Sequence, residues 1–172
     1  FKISNDIKIL SSGPRSGIYE LIIPQNEPGS SIMPGKVNPT QCEALSMVCT
    51  QIMGLEYAVS MANSSGTLQM NEYKPLIGFN ILTSLKLLKN AIENFRIKLV
   101  DGMEPNQKRM KLNLENSLML VTAIVPKVGY EKAAEIANLA FKESLNLKEA
   151  TIKLGYLNED EFDEAMNINS MI

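Results

Sequence analysis

Apolar residues recur every three or four positions along most of this chain, and that spacing predicts helices. Ile3, Ile7 and Leu10 mark a first helix over residues 1–10, which Ser11, Ser12, Gly13 and Pro14 stop. Residues 18–23 read as a short strand or an extended arm. A long loop follows, rich in turn formers and carrying one basic residue, Lys36. Asn38 and Pro39 then read as a helix start, with Asn as the N-cap and Pro in the first helical position. From residue 41 to about residue 61 a stripe of Leu45, Val48, Ile52, Leu55 and Val59 defines one long helix. Met47, Met53, Tyr57 and Met61 make its other faces apolar as well, and a helix of that kind is expected to lie buried among other helices. The methionines read as core packing in preference to a soft-metal site.

Asn63 to Gly66 break this helix, and a second follows over residues 75–100, carried by Leu76, Ile81, Leu85, Leu88, Ile92 and Phe95. Each would be about 30 Å or more long, and two such helices joined by a loop form an antiparallel hairpin. Beyond Asp101 to Pro105 the periodic segments shorten. Residues 107–112, 117–125, 130–145, 147–154 and 159–166 are the candidates, with Pro126 and Gly129 as interruptions. In the segment 130–145, Ala133, Ile136, Ala137, Ala140 and Phe141 are expected on one side. The fold class is therefore all-α: the long helices of a central helical bundle followed by a small C-terminal helical domain. The boundary is expected at 1–104 and 105–172.

Composition narrows the function. The charged fraction is 21% with a formal net charge of -2, so no concentrated basic face is available for nucleic acid. No apolar run is long enough to cross a bilayer. Cys42 and Cys49 fall seven apart in one expected helix, a spacing that suits neither a disulfide framework nor a metal site, and a reducing, cytoplasmic compartment is the default. The chain contains no His, which removes the usual acid–base group at neutral pH. It opens at Phe1 with helical spacing already running, which suggests a portion of a longer chain.

The segment from Gly29 to Glu43 carries the chemistry. Gly29 and Gly35 permit backbone conformations that other residues resist. Ser30 and Ser31 offer hydroxyls, Lys36 a positive charge and Asn38 an amide, just ahead of a long helix whose first N–H groups are free. Such a set suits a small anion such as a carboxylate, although a Gly/Ser loop before a helix is usually only a connection. A phosphate-binding P-loop does not fit, because the Gly, Lys and Ser/Thr spacing is wrong.

The segment resembles the signature of the fumarase/aspartase superfamily, Gly-Ser-Ser-x-Met-Pro-x-Lys-x-Asn. Its continuation, Pro34-Gly35-Lys36-Val37-Asn38-Pro39-Thr40-Gln41-Cys42-Glu43, resembles class II fumarase in particular. Aspartases typically carry Ala at the place of Gly35. Ser12-Gly13-Pro14-Arg15, Asn26-Glu27-Pro28, Lys74-Pro75, the run Asn116 to Ala123 and Leu154-Gly155-Tyr156-Leu157 extend the likeness over nearly the whole chain. Tyr19, Gln69 and Lys127 depart from it, standing where Gly, Glu and His are usual.

The resemblance implies the C-terminal portion of a fumarate hydratase. Ser30 would be the base that removes the C3 proton of malate. Glu43 would pair with a His that acts through water, and that His would lie in an earlier part of the enzyme. Lys36 and Asn38 would bind a substrate carboxylate, with backbone or hydroxyl contacts from Ser31 and Val37. No metal or other cofactor is implied. The expected partners are a dicarboxylate substrate and further copies in a homotetramer, with no nucleic acid and no membrane. The chain alone is expected to be inactive. Another superfamily lyase such as aspartase, and a non-catalytic helical dicarboxylate-binding or interaction module, are the alternatives.

Overall fold

Two 25-residue helices dominate the first half of the chain: α2, Thr40–Ser64, and α3, Lys74–Lys98. α1, Lys2–Leu10, precedes them. The computed structural model describes residues 1–28 and 32–166. It divides the chain into two compact units, Phe1–Asn106 and Gln107–Ile172, and among the described residues the fold is all-α apart from one two-stranded ladder and an isolated bridge between Thr67 and Met70. In that ladder β1, Leu21–Ile22, runs antiparallel to β2, Glu104–Pro105, with Leu21 opposite Pro105 and Ile22 opposite Glu104. The extended arm before the loop is thereby tied to the chain that leaves α3.

α2 and α3 form an antiparallel pair, about 37 Å long at 1.5 Å per residue. The start of α2 faces the end of α3, where the Asn94 side-chain amide donates to Gln41 Oε1 at 2.8 Å. At the far end, Asn71 joins the two helices. Its Nδ2 donates to Ala62 O at 3.0 Å and its Oδ1 accepts from the Tyr73 N–H at 2.8 Å. The hydroxyls of Ser64 and Ser65 both donate to Met61 O, satisfying a carbonyl that the ending helix leaves open.

Within the single chain neither long helix is enclosed. Only Cys42 and Ala62 of α2, and Asn80 and Phe95 of α3, are buried. Tyr57, Phe79, Leu82 and Leu85 are each at least 60% exposed. One neighbour covers one face, and these helices are apolar on several. The buried cluster is small: Cys42, Phe95 and Leu99, with Ile7, Ile23, Leu45 and Met103 packed against it. α1 joins through Ser4 and Ile7, whereas Ile3, expected on the packed stripe, is 69% exposed.

The second unit has a proper core. α4, Gln107–Glu115, opens it, and a 3₁₀ segment, Leu118–Ile124, leads into α5, Val125–Val128. α6, Tyr130–Glu143, α7, Leu147–Leu154, and α8, Glu159–Ala165, follow. Ile124, Ile136, Ala140, Leu147, Ala150 and Phe162 form the buried centre. Residues 117–125 do not make the expected α-helix. Pro126 has no N–H to give to Thr122 O, and the Val125 N–H takes that carbonyl in a tighter 3₁₀ turn. Pro126 itself does not interrupt, since it sits in the first turn of α5. Phe141 is also not on the packed side of α6. It lies about 140° around the helix from Ile136 at 100° per residue, and is 77% exposed.

Local signals fix the last two helices. Asn146 and Asn158 each accept the N–H three residues on, from Glu149 and Glu161, and each glutamate returns to the cap N–H. These are reciprocal capping boxes. Gly155, at φ +69°, ends α7 in the left-handed conformation that favours glycine. Lys148 then ties the elements together, contacting both oxygens of Asp163 at 2.8 and 2.9 Å. Lys127 pairs with Glu164, and its hydrogen bond holds that carboxyl below the ordinary carboxylate range.

Ile136→Ala is expected to cost about 2–5 kcal/mol of stability, read as a lowered urea midpoint. Phe141→Ala is expected to change it by no more than about 0.5 kcal/mol. Asn146→Ala should fall between them, at about 1 kcal/mol, through loss of its cap.

Candidate functional site

The site is organised by the N-terminus of α2. α2 begins at Thr40, with Pro39 as the cap residue and no side-chain cap. Asn38 therefore does not cap it as the sequence suggested. The chain turns into the helix one residue later than expected, and the Glu43 N–H makes the first helical bond to Pro39 O at 3.1 Å. Asn38 and Pro39 are half-buried just ahead of the helix.

The approach to this point is a turn over Met33 to Lys36. The Lys36 N–H donates to Met33 O at 3.2 Å, and Gly35 adopts φ +78°. Pro34 in the second place and a positive φ in the third make a type II turn. The Lys36 and Val37 side chains are exposed, four and three positions ahead of the helix start at Thr40. Ser30 and Ser31 lie outside the described residues.

The loop is anchored at its other end as well. Asn26 Nδ2 donates to Lys98 O, the last carbonyl of α3, at 2.9 Å. Pro24 packs so closely on Gly102 that a Cβ there would meet Pro24 Cγ at 2.8 Å. Sequence reasoning gave Asn26 no such role. Its bond spans 72 positions, and its only local signal is a place between two prolines.

Glu43 has a partner within the chain. Lys8, in the last turn of α1, brings its Nζ to 3.3 Å from Glu43 Oε1, with both side chains a little under half exposed. Each charge sits where a helix dipole favours it, the cation at a C-terminus and the anion at an N-terminus. Behind the pair, a polar seam joins α1 to α2. Ser46 Oγ donates to Cys42 O at 2.8 Å and lies 3.0 Å from the fully buried Ser4 Oγ. Sequence reasoning missed Lys8, because no spacing rule connects positions 35 apart.

Cys42 is fully buried one turn into α2, and burial pushes its thiol above the ordinary range. Among the described residues no three His, Cys, Asp or Glu side chains gather as metal ligands, and no helix is long and apolar enough to cross a membrane. What the arrangement offers is a cation, an amide and a helix N-terminus at the mouth of a loop, with an oriented carboxylate one turn deeper. It can bind a small anion, and it can orient a further proton-carrying group.

A family model described as "Lyase" matches residues 1–54, which include this loop and the start of α2. A second, described as "Fumarase C C-terminus", matches residues 120–172. A curated class II fumarate hydratase from Prochlorococcus marinus subsp. pastoris is 83% identical over all 172 residues, which cover 37% of that relative. Another from a different Prochlorococcus marinus strain is 60% identical over 99% of this chain and 37% of its own length. The crystal structure of class II fumarase from Schistosoma mansoni superposes with a TM-score of 0.88 at 45% identity, covering 97% of this chain and 36% of that one. The chain belongs to the class II fumarase family. It spans a little over a third of the length of the relatives it matches.

Because Cys42 is buried and Cys49 half-buried, thiol titration of the folded chain at neutral pH should modify Cys49 first. Cys42 is expected to react only when the protein unfolds.

Proposed function

We propose that this chain supplies part of the active site of a fumarate hydratase, which interconverts fumarate and (S)-malate by anti addition and elimination of water. The observation that carries the reading is the placement of Lys36, Asn38 and Glu43 about the N-terminus of α2, within a segment that matches the family signature. Removing the C3 proton of malate builds negative charge on the adjacent carboxylate. A lysine, an amide and free helix N–H groups stabilise that charge more than they stabilise the ground state, and so accelerate the step.

In this reading Ser30 takes the C3 proton, and Lys36 and Asn38 hold the carboxylate, with contacts from Ser31 and Val37. Serine is a weak base at its normal pKa and needs a strongly positive, partly dry site to act. Glu43 orients a histidine that carries the proton to the departing C2 hydroxyl, so water leaves and fumarate remains. This chain has no His, so that group comes from outside it and the chain alone is inactive. The exposed apolar faces of α2 and α3 support assembly into a homotetramer. The working division is a helical-bundle part, 1–104, bearing the site, and a small helical part, 105–172. The enzyme is placed in the cytoplasm, in the tricarboxylic acid cycle, without a cofactor.

The test is a chimera in which this chain replaces the matching segment of the Prochlorococcus relative. Absorbance of fumarate should show turnover near that of the parent. Ser30→Ala is expected to lower kcat by about 10²–10⁴-fold, and Lys36→Met to lower kcat/KM by about 10²–10³-fold. A folded chimera that binds malate without turning it over would establish a dicarboxylate-binding module instead. Turnover of aspartate in place of malate would establish an aspartase.

A further inference from the structure

The Lys8–Glu43 pair belongs to the site without touching substrate in the proposed reaction. We infer that Lys8 is a positioning residue for Glu43, holding its carboxylate in the rotamer that meets the histidine. The inference rests on the role proposed above for Glu43. Three observations carry it.

First, the pair is specific in place. Lys8 reaches across from the last turn of α1 to the first turn of α2, and Nζ stands 3.3 Å from Oε1 of Glu43. An ionised carboxylate has about four acceptor sites, so one paired with a lysine can still accept from an imidazole N–H. Second, the helix that carries Lys8 is itself fixed against α2. Ser4 is fully buried and contacts Ser46, and Ile7 packs on the Cys42, Phe95 and Leu99 cluster. Lys8 follows Ile7 directly, so its Cα is set by the packed side of α1. Third, the pair is a weak stability device. Both side chains are 44–47% exposed, and ion pairs of that kind contribute little to folding. An orienting role is the use that its geometry suits.

The reaction step is unchanged by this assignment. Lys8 transfers no proton. Removing it lets Glu43 sample rotamers in which the imidazole it orients is misaligned, and misplacement of about 1 Å can lower a rate by as much as 10²-fold.

The experiment is a double-mutant cycle in the chimera. Lys8→Met should lower kcat on the order of tenfold with KM within about twofold, while Tm stays at the parent value. Lys8→Arg, which keeps the charge on a stem of similar reach, should restore most of the rate. In a Glu43→Gln background, Lys8→Met should have no further effect. Three results would overturn the inference: parental kcat in Lys8→Met, an equal loss from Lys8→Met in both backgrounds, or a loss that tracks a fall in Tm and that Lys8→Arg does not restore. Parental kcat in Glu43→Gln alone would remove the role proposed for Glu43, and this inference with it. That result is distinct from an active Glu43 that ignores Lys8.

Discussion

The first unit depends on one small apolar junction. Cys42, Phe95 and Leu99 are buried where the start of α2 crosses the end of α3, and Ile7 of α1, Ile23 of the arm and Met103 after α3 close over them. Four separate stretches of chain meet there because each brings one to three apolar side chains to the same point. The candidate site sits directly on this junction. Cys42 precedes Glu43, Ile7 precedes Lys8, and Leu99 follows the Lys98 carbonyl that anchors Asn26. The polar groups are thus placed by the buried neighbours next to them in sequence. That is how exposed side chains acquire fixed positions without a large core of their own.

The rest of the hairpin obeys the opposite constraint. α2 and α3 carry apolar residues around much of their circumference, and a two-helix pair can cover only one face of each. Large exposed apolar areas of this kind mark interfaces. The second unit shows what the same chain does when it can complete a core: Ile136, Ile124 and Ala150 are wholly buried, and the polar residues go to caps and ion pairs. The contrast within one chain places the unsatisfied surface in the hairpin.

Elements whose determinants are local were legible in the sequence. α7 was expected at 147–154 and occupies Leu147–Leu154, because Asn146, Glu149 and Gly155 specify both ends within a few residues. The signature loop was legible for the same reason, and its turn at Gly35 follows from Pro and Gly at fixed offsets. What could not be read required distant partners. The burial of Ser4, the tether from Asn26 to Lys98 and the pairing of Lys8 with Glu43 each join positions at least 35 apart in sequence or depend on such a contact. The 3₁₀ segment at Leu118–Ile124 was missed for a subtler cause. Its apolar spacing fits an α-helix, whereas Pro126 has no N–H for the Thr122 carbonyl and Val125 takes it instead.

Two of the departures from the family pattern are intelligible through the structure. Tyr19 has φ +53°, a conformation in which glycine is at ease and tyrosine is strained. Its ring lies so close over Gly13 that a Cβ there would come within 2.8 Å of Tyr19 Cβ and Cγ. The strained residue is therefore accommodated by the absence of a side chain six positions earlier. Lys127 stands where the family often has His. A hydrogen bond from Lys127 depresses the Glu164 carboxyl, so the tether between α5 and α8 is present above the ordinary carboxylate range and is lost only as pH falls through the lowered value. An imidazole in that place would change its charge between pH 5 and 8. In this chain the position carries instead the surface ion pair that joins α5 to α8.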